Sequence, residues 1–350
     1  MKRFLVTGGT GFLGGILVSE LIRQGHSVMV LARSDRKVKQ LLSKFNSEEL
    51  KRITIIKGDI THKNLGQSVG FINENNGLID IVYHLAAMVK FDEELEAELM
   101  QINLEGTKNT LELSEKLSVK HFIQVSTAYT LGKEMNGVEE LYSENQDCHN
   151  PYELSKVFAE RAVMEYKNRM KVNIVRPSII VGDSKTGRAD SNFAIYGFLR
   201  ALSVFKKRAL RDGCSNELFR IIASAKGTSN LVPIDYVVKV LLAVHALGDN
   251  EQIFHVTNPN PPTNQYILSR IKFLMQYDQL TITTDPLIGM HDLTIKERML
   301  NELLWIYKPY LATDKSFDDR HTQVLLKDSE ELQLDMDDKM IDLILASGID

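Results

Sequence analysis

The chain has little cysteine, no excess of one charge and no long apolar run. Only Cys148 and Cys214 occur among its 350 residues, without a C-x-x-C pair, so the sequence predicts neither a disulfide framework nor a metal site. Lysine plus arginine total 42 against 46 acidic residues, a net charge of −4, which argues against a nucleic-acid-binding surface or a basic membrane anchor. No segment reaches the roughly 18 apolar residues of a membrane span, and residues 4–6 are too short for a signal-peptide core. These absences predict a soluble, cytoplasmic protein.

What the chain does have is a glycine-rich turn near its N-terminus. Residues 4–15 read FLVTGGTGFLGG, so a short apolar strand runs into Gly8, Gly11 and Gly14 before a helix-like pattern begins. Glycine permits positive φ and lets the backbone approach a pyrophosphate, while free N–H groups at a helix start attract negative charge. A glycine triplet alone is weak evidence, but its position after a first strand predicts a dinucleotide-binding turn.

Strand-like and helix-like segments then alternate along the first half of the chain. After residues 4–6, strands are predicted at 26–33, 53–57, 79–85, 121–126, 172–176 and 252–256. Such alternation predicts an α/β fold, a Rossmann-type doubly wound parallel sheet covered on both faces. It lapses after Gly182, where we expect a smaller, mostly helical C-terminal lobe for substrate. The predicted domains are therefore 1–182, with 231–258 returning to the sheet, and a lobe of 183–230 and 259–350.

Residues at the ends of the predicted strands indicate which dinucleotide binds. Arg33 follows the second strand, where an arginine suits a 2′-phosphate and an acidic residue would bind a ribose 2′-hydroxyl. Asp35 comes two positions too late for that second role, so the sequence favours NADP(H) over NAD(H). Asp59, after the third strand, is expected on the adenine side, and the small Ala86 and Ala87 would let the dinucleotide lie against backbone.

A second group of residues suggests the chemistry. Tyr152 and Lys156 stand four positions apart on a predicted helix and therefore share a face. A lysine ammonium beside a phenol lowers the phenol's pKa and favours proton transfer. Tyr-x-x-x-Lys also occurs by chance as a surface pair, but Thr127, at the end of the fifth strand, adds a hydroxyl that could hold a carbonyl oxygen. The three side chains together predict carbonyl reduction.

Three other polar residues are interpreted more plainly. His84 lies in a buried strand and is expected to be structural. Asn103 opens a predicted helix, where an N-cap is the default role and support of the catalytic groups is the alternative. Cys148 lies near Tyr152 but has no activating base in the sequence, so we do not predict a nucleophile there.

The motifs, in order, closely resemble those of the extended short-chain dehydrogenase/reductases over residues 1 to about 260. They are TGGTGFLG at 7–14, GDI at 58–60, HLAA at 84–87, NLEGT at 103–107, STAY at 126–129, YELSK at 152–156 and VRPSIIVG at 175–182. The resemblance implies a triad of Thr127, Tyr152 and Lys156 supported by Asn103, with Ser126 as the alternative hydroxyl. The predicted cofactor contacts are Gly8, Thr10, Gly11, Phe12, Leu13, Gly14, Arg33, Asp59, Ile60, Leu85, Ala86, Ala87, Lys156, Pro177, Ser178 and Ile180.

Within that family, VSTAY at 125–129 and RPSIIVGDSKTG at 176–187 resemble the branch of fatty acyl-CoA reductases and thioester reductase domains. This resemblance implies NADPH-dependent reduction of an acyl thioester, bound to CoA or an acyl carrier protein, to an aldehyde or onward to an alcohol. The sequence shows no motif of a carrier domain, so the thioester is expected to arrive on a separate molecule. The protein is expected to be a monomer or a homodimer. The alternatives are a ketone or sugar-nucleotide oxidoreductase or epimerase, and an NADP-sensing interaction protein without turnover.

Overall fold

Strands and helices alternate through the first half of the chain in a computed structural model, which describes residues 1–189, 195–214, 217–283, 289–311, 314–328 and 334–349. The strands are β1 Arg3–Thr7, β2 Ser27–Ala32, β3 Ile53–Lys57, β4 Ile81–His84, β5 His121–Val125, β6 Asn136–Gly137, β7 Lys171–Pro177, β8 Ile179–Val181, β9 Phe219–Ile222, β10 Leu231–Pro233, β11 Gln252–Val256, β12 Leu280–Thr283 and β13 Ser316–Phe317.

The helices separate these strands. They are α1 Phe12–Arg23, α2 Asp35–Leu42, α3 Ser47–Leu50, α4 Val69–Asn75, α5 Glu96–Leu99, α6 Gly106–Lys116, α7 Pro151–Met164, α8 Ile195–Arg211, α9 Ile234–Leu247, α10 Asn264–Met275, α11 Ile295–Leu303, α12 Lys308–Leu311, α13 Arg320–Leu326 and α14 Asp338–Ala346. Short 3₁₀ helices lie at Lys63–Gly66, Glu93–Leu95, Ala128–Leu131, Met290–Asp292 and Trp305–Tyr307, and a π-helix lies at Met100–Glu105. Among the helices that the structure describes, none combines the length and apolar character needed to cross a membrane.

Seven strands form one parallel sheet in the order β11-β7-β5-β4-β1-β2-β3. Strand β1 pairs with β2 on one side and with β4 on the other, so Thr7 lies opposite both Leu31 and His84. The strand order runs outward from β1 through β2 to β3, and the chain then crosses to β4 on the other side of β1. The topological switch point, where ligands bind in such sheets, therefore lies between β1 and β4 at their carboxyl ends. This topology confirms the predicted Rossmann-type sheet.

The contacts within the chain group it into two compact units. The first unit comprises Met1–Pro177, Val238–Val256 and Asp318–Leu332, and the second comprises Ser178–Val237, Thr257–Phe317 and Gln333–Asp350. Helix α13 therefore belongs to the first unit, where Thr322 donates to the carbonyl of His255 in β11, although the sequence assigned residues 259–350 to the lobe. The role of the second unit in holding substrate remains a prediction.

The second unit contains short strands that the sequence pattern did not predict. Strand β8 pairs with β10 and strand β9 with β12, each as a two-stranded parallel sheet. These strands have only three or four residues, too few to show an alternating pattern. Its core is apolar and includes buried residues from four helices: Leu199, Leu202, Ile271, Leu300 and Ile344.

Candidate active site

The glycine turn after β1 has the close backbone packing of a phosphate cradle. Gly8 has φ +72°, and a Cβ there would lie 2.7 Å from the amide nitrogen of Ala86. A Cβ on Gly14 would lie 2.2 Å from the carbonyl oxygen of Gly8, so neither position accepts a side chain without a shift of backbone. Helix α1 begins at Phe12 without a side-chain cap or an acidic residue in its first turn. Its first N–H groups can therefore bind an anion.

Arg33 and Asp59 meet at the ends of β2 and β3. The Nη1 of Arg33, whose side chain is 69% exposed, donates to the Oδ2 of Asp59 at 3.1 Å, while the other oxygen accepts from the amide and hydroxyl of Thr61. Burial alone would raise the pKa of Asp59, but the hydrogen bonds from Thr61 and Arg33 outweigh it and lower that pKa. The structure thus brings together the predicted cation and carboxylate, and leaves Arg33 further donors for a phosphate.

Three predicted cofactor residues lie around the end of β4. The amide of Leu85 donates to the carbonyl of Thr7, and the amide of Ala86 donates to the Thr7 hydroxyl, so these residues lie beside the cradle. Ala86 and Ala87 are partly exposed, as an approach of ligand to backbone requires. Ile60 differs, because its side chain is buried against Gly106 and its carbonyl accepts from Asn109.

Helix α7 carries Tyr152 and Lys156 to the end of β5. Asn150 caps the helix by accepting from the amide of Glu153, and Pro151 stands in the first turn, which sets where the helix begins. Lys156 is 3% exposed, and its Nζ donates to the carbonyl of Val125 at 3.0 Å. Val125 is the last residue of β5, directly before Ser126 and Thr127, so the Lys156 ammonium lies at this strand end.

Two hydroxyls are present at this strand end. Thr127 caps the 3₁₀ helix Ala128–Leu131, and its Oγ1 accepts from the amide of Tyr129 at 3.3 Å. That bond uses a lone pair and leaves the hydroxyl proton of Thr127 available. Ser126 is 5% exposed, and among the described residues its Oγ has no hydrogen-bond partner. Which hydroxyl faces a substrate stays a prediction.

The pKa of Tyr152 differs from the sequence expectation. Burial, together with the carboxylates of Glu153 and Glu160, raises this pKa above its ordinary value, whereas the sequence predicted that Lys156 would lower it. The main physical reason is the burial of the Tyr152 phenol, to which the buried Glu153 carboxylate one position away adds, while the Lys156 ammonium is directed to the Val125 carbonyl. Burial lowers the pKa of Lys156 to about 8, and Glu160 opposes that effect. Tyr152 is therefore a neutral phenol, able to donate a proton.

Asn103 lies inside a π-helical turn, not at a helix start, so the N-cap interpretation is wrong. The π-helix Met100–Glu105 runs from α5 into α6 without a break. The Asn103 Oδ1 accepts from the amide of Met88 at 2.8 Å, and its Nδ2 donates to the carbonyl of Met88 and to the Ser155 hydroxyl. Ser155 in turn donates to the carbonyl of Tyr152 at 2.8 Å. π-Helical turns often occur at functional sites, and here the turn directs Asn103 to the helix of Tyr152.

Other residues near the site are structural or were not predicted. His84 is 1% exposed and lies between the hydroxyls of Thr7 and Thr107, in keeping with the structural role expected for it. The sequence analysis did not single out Thr7, Thr107 and Ser155. Their positions inside the motifs TGGTGFLG, NLEGT and YELSK are the one sequence feature that could have indicated a role in the site. Burial, with Glu153 and Asp147, raises the pKa of Cys148 to about 12, so this residue remains a thiol.

The last predicted cofactor residues fall on both sides of the unit boundary. Pro177 ends β7 in the first unit, whereas Ser178 and Ile180 belong to the second unit. There, the Ser178 hydroxyl donates to Asn230, and Ile180 lies opposite Val232 in the β8–β10 pair. Their contact with a dinucleotide stays a prediction. Across the described residues, no cluster of three or more His, Cys, Asp or Glu side chains is arranged to hold a metal ion.

Comparison with known proteins identifies the family. Residues 6–241 match the model of an NAD-binding family described as Male sterility protein. The chain is 27% identical over 295 residues to the fatty acyl-CoA reductase wat of Drosophila melanogaster, covering 69% of this chain and 53% of that protein. It thus spans about half the length of the curated relatives it matches first.

Solved structures show the same fold along nearly the whole chain. The terminal R domain from the myxalamid PKS-NRPS biosynthetic pathway is 24% identical with a TM-score of 0.80, covering 99% of this chain and 90% of that one. A thiolation-reductase di-domain from an archaeal non-ribosomal peptide synthetase is 20% identical with a TM-score of 0.74, covering 99% of this chain and 75% of that one. The chain therefore belongs to the Male sterility protein family, within the extended short-chain dehydrogenase/reductases, and fatty acyl-CoA reductases are among its relatives.

Proposed function

We propose that this protein is an NADPH-dependent reductase of acyl thioesters, bound to CoA or to an acyl carrier protein, or of the aldehydes they yield. The observation that carries the proposal is the position of Lys156, whose Nζ binds the Val125 carbonyl at the strand end that also bears Ser126 and Thr127. Tyr152 stands one turn before Lys156 on α7. These positions support the assignment of Tyr152 as proton donor, Thr127 as orienting hydroxyl and Lys156 as cation.

The glycine turn of the first unit suits a dinucleotide, because a backbone without side chains can approach the pyrophosphate closely. Gly8 and Gly14 would hold the pyrophosphate against the start of α1, and Ala86 and Ala87 would lie along the dinucleotide. When bound, it supplies a hydride. Arg33 supports the preference for NADP(H), because its exposed guanidinium suits a 2′-phosphate better than a free ribose hydroxyl.

The catalytic residues would act on the carbonyl oxygen of the substrate. Thr127 donates its free hydroxyl proton to that oxygen and orients it, and Tyr152, a neutral phenol, stabilises the negative charge that develops there and donates a proton. Lys156, one helical turn away on α7, would supply a positive charge that favours the phenolate left behind. With a thioester, the C–S bond then breaks, so that one aldehyde and one thiol leave for each hydride and proton consumed.

The similarity to fatty acyl-CoA reductases and reductase domains supports a thioester over a ketone or a nucleotide sugar. The direct test follows NADPH absorbance with the purified chain and panels of acyl-CoAs, aldehydes and ketones. We expect oxidation with acyl-CoAs or aldehydes. Turnover of ketones alone would favour the alternative of a ketone oxidoreductase, and no turnover with any substrate would contradict the proposal.

The assignment of Tyr152 is tested by the Tyr152→Phe variant. Because the phenol donates the proton, kcat should fall by ~10²–10⁴-fold while NADPH affinity changes little. The matched control is Tyr166→Phe, a first-unit tyrosine that stacks under Arg169 away from the site. If both variants kept full activity, Tyr152 would not be the proton donor. An NADP-sensing protein would bind NADPH equally in all three forms and show no turnover in any.

A further inference from the structure

A buried line of hydrogen bonds runs from the glycine turn to the helix of Asn103. The Thr7 hydroxyl lies 2.7 Å from the Nδ1 of His84, and the Nε2 of His84 lies 3.1 Å from the Thr107 hydroxyl. The Thr107 hydroxyl donates to the carbonyl of Asn103 at 2.6 Å. Thr7 and Thr107 are 0% exposed and His84 is 1% exposed, so water does not compete for these bonds.

The bonds in this line determine where each proton lies. Thr107 has one hydroxyl proton, which the Asn103 carbonyl accepts, so its oxygen accepts from the Nε2–H of His84. Burial and the nearby Lys156 lower the pKa of His84 to about 3, so the ring is neutral and its Nδ1 has a lone pair. Nδ1 then accepts from the Thr7 hydroxyl, whose oxygen is left to accept from the amide of Ala86 at 3.3 Å. Every proton points toward the Asn103 end.

Each end of the line contacts a different part of the site. At one end, Thr7 precedes the glycine turn and holds the amide of Ala86, against which Gly8 is packed. At the other end, the Asn103 side chain accepts a hydrogen bond from the amide of Met88 and donates to the carbonyl of Met88 and to the Ser155 hydroxyl. Ser155 donates to the carbonyl of Tyr152. The line therefore joins the cofactor cradle to the helix that carries the catalytic groups.

We propose that His84, held as the Nε2–H tautomer between Thr7 and Thr107, is a positioning residue that sets the catalytic helix relative to the dinucleotide cradle. Hydride transfer needs the reacting atoms close to the productive geometry, and misplacement by about 1 Å costs up to ~10²-fold in rate. In the Nε2–H tautomer, the ring donor faces the Thr107 oxygen and the ring acceptor faces the Thr7 hydroxyl. The Nδ1–H tautomer would oppose two donors at Thr7 and two acceptors at Thr107, so only one ring state keeps the line intact. The activity readout of this inference rests on the proposed function, whereas the tautomer and binding readouts do not.

The experiment breaks the line at Thr107 and compares a matched position one turn away. Thr107→Val keeps the side-chain shape but removes the acceptor of His84. Thr110→Val is the control, because Thr110 is also 0% exposed and donates to the carbonyl four residues back, at 2.7 Å, but is not bonded to His84. We expect about a tenfold lower kcat for Thr107→Val with NADPH affinity within about twofold, no such loss for Thr110→Val, and recovery with Thr107→Ser.

Two readouts are independent of turnover. Nitrogen-15 NMR of histidine-labelled protein, with His84 assigned by its loss in His84→Gln, should show the Nε2–H tautomer in the wild type and a changed ring signal in Thr107→Val. Thr7→Val should weaken NADPH binding about tenfold, because it removes the acceptor of the Ala86 amide. The inference is overturned if the ring carries its proton on Nδ1, or if Thr107→Val and Thr110→Val lose activity equally. If the wild type shows no turnover, the proposed function fails, and the tautomer and the binding data still decide this inference.

Discussion

The two units of the chain use buried polar groups differently. In the first unit, Arg176 and Glu160 form an ion pair at 0% and 1% side-chain exposure, and Arg176 also donates to the carbonyls of Val138 and Glu140. In the second unit, the comparable pair of Arg220 and Glu297 has 33% and 3% exposure and lies outside an apolar core. The charged pair of the first unit is therefore enclosed, whereas the arginine of the second unit's pair is partly open to solvent.

The largest expected difference between the units comes from breaking the buried pair. Arg176→Leu leaves the Glu160 carboxylate and two backbone carbonyls without their donor, so we expect the free energy of unfolding of the first unit to fall by about 3–5 kcal/mol. The counterpart Arg220→Leu should cost the second unit clearly less, because solvent reaches that arginine. Hydrogen exchange followed by mass spectrometry in urea measures each unit separately.

A double variant is the control for this comparison. Arg176→Leu with Glu160→Leu removes both charges, so most of the lost stability should return. Equal losses from Arg176→Leu and Arg220→Leu would show that enclosure of the charge does not distinguish the units.

A smaller effect, on the affinity for the dinucleotide, is expected at the exposed Arg33 of the first unit. Arg33→Ala removes the cation proposed for the 2′-phosphate, so NADPH should bind about tenfold more weakly while NADH is unaffected, as titration calorimetry would show. Arg23→Ala is the control, because Arg23 forms an exposed pair with Glu20 at the end of α1. Equal weakening of both dinucleotides would remove Arg33 as the determinant of the preference.

The smallest expected effect is on how the stability of the second unit depends on pH. The hydrogen bond from Arg220, with those from backbone amides, lowers the pKa of Glu297 to about 2. Because this pKa is depressed in the folded state, the pair stabilises the unit above the unfolded pKa of about 4.3, and that contribution is lost as the pH falls toward 2. We expect a loss of about 1 kcal/mol, since solvent screens Arg220.

The fluorescence of Trp305, the one tryptophan of the chain, reports unfolding of the second unit. In Glu297→Gln, the decline in stability between pH 5 and 2 should be smaller, whereas Glu302→Gln, an exposed change on the same helix, should decline like the wild type. A decline in Glu297→Gln as steep as that of the wild type would mean that another group causes it.

Much of the first unit could be predicted from local patterns. The strands at Ile53–Lys57 and Gln252–Val256 have the predicted bounds, because apolar runs of this length next to glycine or proline have few other conformations. The N-cap interpretation of Asn103 failed because a π-helical turn depends on contacts with α7 that no local pattern encodes. The direction of the pKa shift of Tyr152 was misjudged for a similar reason, since the spacing in the sequence shows Lys156 nearby but not that the phenol is buried next to Glu153.

The sequence by itself determined the glycine turn and the alternation that builds the parallel sheet, because each depends on residue type and short spacing. Thr127, Tyr152 and Lys156 are predicted catalytic residues because of the family resemblance. Only the tertiary structure decided that the Lys156 Nζ binds the carbonyl of Val125 and that Thr7, His84, Thr107 and Asn103 form one line of hydrogen bonds. Such bonds join residues up to 77 positions apart in sequence. They form only when the sheet brings β1 next to β4, and no spacing along the chain specifies them.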